Sequence, residues 1–127
     1  MKLNKLTPKE EEVIKNKKTE APFTGEYDEF FEDGVFLCRW CDNPLYDSKA
    51  KFNAGCGWPA FDDIYPGAVK ELLDEDGRRV EIVCSRCGAH LGHVFRGEGY
   101  TSSDTRHCVN SLSIKFLPRE KWEKERR

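Results

Sequence analysis

Apolar residues come in short runs that polar and turn residues interrupt. Val35-Phe36-Leu37 and Pro44-Leu45-Tyr46 read as short strands flanking a tight turn, and Val69 to Leu73 pairs with Val80-Glu81-Ile82-Val83 across Glu75-Asp76-Gly77 as a hairpin. His90 to Phe95 reads as a further strand, Gly97 to Ser103 as a polar loop, and Cys108 to Phe116 as the last long strand. Near the start, Thr7-Pro8-Lys9-Glu10 has the form of a capping box, with Thr7 as N-cap and Glu10 reaching back to it, and predicts a short helix to about Lys17. Residues 19–34 carry Phe23, Tyr27, Phe30 and Phe31 among Pro22, Gly25 and Gly34, the pattern of an irregular segment held onto the domain by its rings. The stretch from Pro118 to Arg127 is a charged tail with Trp122 as its anchor. The pattern predicts a mainly β chain with a short helical N-terminal segment.

The 127 residues, 38% of them hydrophobic, suit one compact domain over 1–127, with residues 1–20 as an N-terminal helical arm and 118–127 as the tail. A net charge of −2 with interspersed signs speaks against nucleic acid and anionic membranes as partners. The apolar runs are too short to span a bilayer and residues 1–20 are too charged for a signal peptide, so the expectation is a cytoplasmic protein.

Six cysteines change the picture from fold to chemistry. Cys38-Arg39-Trp40-Cys41 and Cys84-Ser85-Arg86-Cys87 are two C-x-x-C turns, and two such turns complete a tetrahedral thiolate site for one zinc with sulfurs at about 2.3 Å. Two disulfides are the alternative, less suited to a chain without a secretion signal. The 42 residues between the pairs exceed the usual ribbon spacing, so a sub-structure carrying Gly55 to Phe61 is inserted between the halves. A closed four-sulfur site is structural and leaves activity unexplained.

Cys56 and Cys108 remain. Cys108 follows Arg106 and His107, whose positive field would lower a thiol from its usual value of about 8.5. Cys56 lies between Gly55 and Gly57 beside Trp58-Pro59, a flexible context that marks it as the part expected to move. A buried, inert thiol is the ordinary alternative for either. Alternation along the last strand puts Cys108 and Asn110 on the inward face with Leu112, Ile114 and Phe116, and turns His107 to the other side. A proton donor is then expected from His90 or His93, each of which could equally be an unremarkable polar residue.

Several separated stretches together resemble the B-type methionine sulfoxide reductases over nearly the whole chain. They are Leu6-Thr7-Pro8, Ala21 to Tyr27, both C-x-x-C pairs, Lys51 to Phe61, Cys87 to Phe95, and Arg106-His107-Cys108-Val109-Asn110-Ser111. The resemblance implies two antiparallel sheets of the Mss4-like or β-tent kind, with zinc opposite the active site. It also implies reduction of the R epimer of methionine sulfoxide in oxidised proteins, with thioredoxin as reductant. By similarity Cys108 is the nucleophile that becomes a sulfenic acid, and Cys56 the recycling thiol that condenses with it. His93, with His90 beside it, assists the sulfoxide oxygen, Asn110 holds that oxygen or a water, and Arg106 tunes the thiolate. Trp58, with Phe95 as a lesser candidate, forms the aromatic surface for the substrate methyl. A monomer is expected. Ala60, where the family often has Ser, and a short 96–103 loop are departures that bear on substrate fit. The rival readings are a zinc-ribbon-like binding module without catalysis and a thiol-disulfide oxidoreductase that uses a C-x-x-C pair.

Overall fold

The computed structural model describes residues 1–125; the last two residues of the expected tail lie outside the described residues. The first helix, α1 (Pro8–Ile14), is capped as its sequence demands: Thr7 Oγ1 accepts from the Glu10 N–H at 3.2 Å and Glu10 Oε1 accepts from the Thr7 N–H at 2.9 Å. It ends a turn earlier than expected, with Lys15 as C-cap and Lys17 left-handed at φ 60°. The strands are β1 (Gly34–Cys38), β2 (Pro44–Asp47), β3 (Lys51–Phe52), β4 (Ala60–Phe61), β5 (Val69–Leu73), β6 (Val80–Cys84), β7 (His90–Arg96), β8 (Thr105–Val109) and β9 (Ile114–Pro118). They form two sheets, ordered β2-β1-β9 and β3-β4-β8-β7-β6-β5, and every pairing is antiparallel. The hairpin of β5 and β6 and the two-sheet architecture agree with the sequence reading.

The core lies where the sheets meet. Phe36 sits edge-on to Phe61 at 5.2 Å, and Phe61 stacks on Tyr46 at 4.2 Å with the rings 12° apart. Leu45, Ile82, Leu91 and Ile114 are fully buried around them, and each such side chain contributes about 1.5–3 kcal/mol relative to exposure. Of the aromatics in residues 19–34, Tyr27 and Phe30 pack on this cluster, whereas Phe23 and Phe31 are exposed.

The expected strand from Cys108 to Phe116 is broken. β8 stops at Val109, a 3-10 turn covers Ser111–Ser113, and β9 then joins the other sheet. The Asn-Ser-Leu-Ser segment spends its polar groups on partners outside the ladder, and this competes with continuing the strand. Ser111 Oγ accepts from the Tyr27 N–H at 3.1 Å, Ser113 Oγ donates to the His90 carbonyl at 2.8 Å, and the Ser113 N–H donates to the Asn110 carbonyl at 3.0 Å. A period of two cannot be carried across that break. His107 and Val109 face the core, and Cys108 does not share an inward face with Ile114. The described part of the tail is helical. Residues Arg119–Glu125 form α2, with Arg119 bridging Asp33 and Asp47 at 3.0 and 2.9 Å and the Trp122 ring 6.0 Å from Tyr65.

Candidate active site and four-cysteine centre

The two C-x-x-C turns have the same backbone form. In each, the first cysteine's N–H donates to the carbonyl five residues on (Cys38 to Asn43, Cys84 to Ala89), and the N–H four residues on donates back to the cysteine carbonyl (Asp42 and Gly88), at 2.8–2.9 Å. The turn closes on a left-handed residue, Asp42 at φ 66° and Gly88 at φ 80°. The knuckles bring all four sulfurs within 4.8 Å of one another. Cys38 and Cys87 are 3.6 Å apart, as are Cys41 and Cys84, close to the S···S separation of about 3.8 Å that a tetrahedron of 2.3 Å metal–sulfur bonds requires. The donor set therefore fits a metal ion, and the separations are too long for disulfides. Asn43 Nδ2 donates to Cys84 Sγ at 3.7 Å, which offsets part of the thiolate charge.

A second cluster occupies an open cleft with about 550 Å³ of empty space, lined by Cys56, Trp58, His93, Phe95, Arg106 and Cys108 together with Thr19, Arg79, Gly92, Val109 and Asn110. None of the four metal-cluster cysteines lines it. The six-stranded sheet places its chemistry: Cys108 in β8 is the cross-strand partner of His93 in β7 on one side and of Ala60 in β4 on the other. Gly92 lets β7 and β8 approach this closely, because a Cβ there would run into the carbonyl of Cys108.

Cys56 arrives from the loop before β4. Gly55 and Gly57 hold φ of 67° and 97°, so the glycines flanking the thiol answer a backbone requirement. A side chain at Gly57 would also press on Pro22 at 2.7 Å. The loop is tied to residues 19–34 through the Phe23 N–H to the Gly57 carbonyl at 2.7 Å, and Cys56 Sγ donates to the Trp58 carbonyl at 3.3 Å. Cys56 and Cys108 line the same cleft, and each shifts the other's ionisation. Cys56 is lowered to about 6, first by Cys108 and then by the Trp58 backbone and Arg106, against its own burial; Cys108 is raised, first by Cys56 and then by burial, contrary to the expectation that the field of Arg106 and His107 lowers it. The pair thus sheds its first proton early and its second late, since two adjacent thiolates repel.

Arg106 is held for this task. Its Nε and an Nη donate to Glu98 at 2.7 and 3.1 Å, and its guanidinium lies 4.5 Å over the Phe95 ring. His107 contributes no charge, contrary to the sequence expectation. It is buried on the core side, Nδ1 is 3.0 Å from the Tyr46 hydroxyl, and burial lowers it to about 4. The expectation that its ring turns away from the thiol stands.

His93 lines the cleft with Nε2 2.8 Å from Asp74 Oδ2. His90 does not line it. Its ring is buried behind His93, with centroids 5.8 Å apart at 73°, and Nδ1 is 2.7 Å from Glu81 Oε2. Asn110 is 3% exposed and its amide is spent on structure, accepting from the Glu20 N–H at 3.0 Å and donating to the Leu91 carbonyl at 3.1 Å. One amide hydrogen remains for a ligand. Trp58 Nε1 donates to the Glu20 carbonyl at 3.0 Å, and this fixes the indole on the cleft wall.

Sequence reasoning missed Glu20, which holds Trp58, Asn110 and, through Oε1, the Leu112 N–H at 3.1 Å. It also missed Asp74, Glu81, Arg79, Thr19 and Lys51. The last is a buried ammonium that donates to the Asp28 carbonyl at 2.9 Å and is lowered to about 8 by burial. All but Lys51, which opens the Lys51 to Phe61 stretch, lie in segments without a motif, and only tertiary structure brings them together.

Comparison with known proteins places this geometry. Residues 6–118 match the SelR domain model. The chain is 56% identical over 114 residues to a chloroplastic peptide methionine sulfoxide reductase B3 of Oryza sativa subsp. japonica, covering 89% of this chain and 50% of that protein. It is 57% identical over 114 residues to a peptide methionine sulfoxide reductase B5 of the same organism, covering 89% of this chain and 84% of that one. The chain thus spans about half the length of the first relative and most of the second. The solved Mis18 'Yippee-like' domain shares the fold alone, with TM-score 0.50 and 20% identity over 68% of this chain and 96% of that one. Matched from Leu6 to Pro118 and to a relative of nearly its own extent, the chain belongs to the SelR domain family, that of the peptide methionine sulfoxide reductases B.

Proposed function

We propose that the protein reduces the R epimer of methionine sulfoxide in oxidised proteins and peptides, with residues 1–127 as one reductase domain. The observation that carries this reading is the placement of Cys108 and Cys56 in one cleft that also holds His93, Arg106 and two aromatic rings. Preference for the R epimer rests on family membership.

Trp58 and Phe95 receive the apolar methyl end of the side chain. The pair holds one negative charge beside Arg106; with the remaining proton on Cys56, the Cys108 thiolate attacks the sulfoxide sulfur while His93 gives a proton to the oxygen. The substrate sulfur gains two electrons and leaves as methionine, and Cys108 keeps the oxygen as a sulfenic acid. The Cys56 thiol then attacks the Cys108 sulfur, water leaves, and a Cys56–Cys108 disulfide forms. A dithiol protein of the thioredoxin kind reduces it by exchange. Asn110 acts chiefly by fixing the backbone beside Cys108, and its one unspent amide hydrogen serves the oxygen or a water.

We assign zinc to Cys38, Cys41, Cys84 and Cys87, because an all-thiolate tetrahedral donor set suits it and a closed site has no position for substrate. Bound there it supplies a cross-link between two chain segments. Among the described residues no helix is long and apolar enough to cross a membrane. A monomer in the cytoplasm, where six thiols stay reduced, completes the proposal.

The test uses purified protein, dithiothreitol and a peptide carrying either sulfoxide epimer. The R epimer should be reduced and the S epimer left; Cys108→Ser should abolish the reaction, and full activity in that variant would sink the assignment. Cys56→Ser should keep a single turnover and lose turnover driven by thioredoxin.

A further inference from the structure

Behind the cleft lies a buried charged group that the reaction scheme does not use. Glu81 in β6 is 2% exposed, yet its carboxylate has two partners from different parts of the chain. Oε2 is 2.7 Å from His90 Nδ1, and Oε1 is 3.1 Å from Nζ of Lys17, a residue just beyond α1. Lys17 reaches it from a left-handed backbone, φ 60°, with its own side chain 55% exposed. A carboxylate paired with an ammonium can only accept, so Nδ1 of His90 carries a hydrogen and Nε2 holds a lone pair. That Nε2 is buried and has no hydrogen-bond partner among the described residues.

We infer that Glu81 and Lys17 are positioning residues that keep His90 as a neutral, Nδ1-protonated ring, so that His93 in the cleft can carry the proton given to the sulfoxide. The inference rests on the proposed reduction for its catalytic consequence, but not for the state of His90. The two imidazoles lie edge to face with centroids 5.8 Å apart, so a positive charge on one ring disfavours a positive charge on the other. Glu81 alone would draw the second proton onto His90, the wrong member of the pair. Burial is the first cause holding His90 low, Glu81 opposes it, and His93 and then Lys17 add to burial, so Lys17 offsets part of the pull of Glu81. The groups facing the histidine pair are Glu81 from β6, Lys17 from the arm, Asp74 and Arg79 from the β5–β6 turn, and Cys108 from β8. Asp74 and Arg79 act on His93 from the other side and are unchanged by substitutions at Lys17.

Lys17→Met tests this from an exposed side chain, and Glu81→Gln tests it at the buried one, each compared with wild type in thermal unfolding. The first readout is the nitrogen and proton resonances of the His90 ring through a pH titration, which needs no substrate. Wild-type protein should show the neutral Nδ1–H tautomer at pH 7, Lys17→Met should raise the His90 pKa, and Glu81→Gln should lose the Nδ1–H preference. A wild-type Nε2–H tautomer, or a His90 titration that Lys17→Met leaves in place, would overturn the inference. The second readout is the pH profile of sulfoxide reduction. Lys17→Met should lower kcat about tenfold near pH 8 with KM little changed, and move the alkaline limb of the profile to lower pH. An unmoved limb overturns the catalytic part. Wild-type protein that reduces neither epimer overturns the proposed function instead, and the resonances still decide the state of His90.

Discussion

His107 offers a quantitative check on how the site strand is built. In β8 it alternates with Cys108 and points into the core against Tyr46, where loss of hydration lowers its pKa from 6.5 to about 4. The unfolded chain therefore binds a proton between these values that the folded chain refuses, and stability falls as pH drops through that window. The whole window is worth about 3 kcal/mol, and going from pH 7.5 to pH 5 accounts for about 2 kcal/mol of it. Urea unfolding of the wild type and of His107→Phe at those two pH values, both with zinc present, isolates the effect. The variant strands the Tyr46 hydroxyl equally at both pH values, and acid weakening of the four-cysteine centre is common to both proteins, so neither enters the difference of slopes. The wild type should lose about 2 kcal/mol more than the variant between the two pH values. Parallel losses would refute the placement of His107 in the core and the alternation that sends Cys108 to the cleft.

Two further perturbations follow from the same geometry. Gly92→Ala should destabilise the protein by more than about 2 kcal/mol in denaturant unfolding, because the new methyl meets the Cys108 carbonyl and β7 must part from β8; unchanged stability would contradict the close approach. Removal of the metal by a strong chelator should lower the thermal midpoint by ten degrees or more, on the order of a few kcal/mol for a domain of this size. A chelated protein that melts as before would mean that the four thiolates hold no structural ion.

Much of this was legible along the chain, and the limits have physical causes. The capping box at Thr7, the hairpin around Gly77 and the two cysteine knuckles are local, set by a few neighbouring residues and their hydrogen bonds, and they appear where their motifs predict. The strand through Cys108 was misjudged because Asn110, Ser111 and Ser113 satisfy their polar groups sideways, on Glu20, Tyr27 and His90, and so let the chain change sheets. Sequence order could bring Cys108, Cys56 and His93 forward as candidates because each sits in a motif. It could not separate His93 from His90, since a bulge between Ile82 and Val83 decides which ring reaches the cleft and which lies against Glu81. Glu20 and Lys17, at the end of the arm, carry no motif, and their roles exist only once that segment crosses the back of the site.

The central claim is that Cys108 takes the oxygen and Cys56 then closes a disulfide on it. Reduced protein without any other reductant should be mixed with one epimer of a sulfoxide peptide, and both methionine release and the masses of cysteine-containing fragments followed. The account predicts stoichiometric methionine from the R epimer, none from the S epimer, and a Cys56–Cys108 disulfide with Cys38, Cys41, Cys84 and Cys87 still reduced. Methionine release accompanied by a disulfide within either C-x-x-C pair, with Cys108 left as a free thiol, would contradict it.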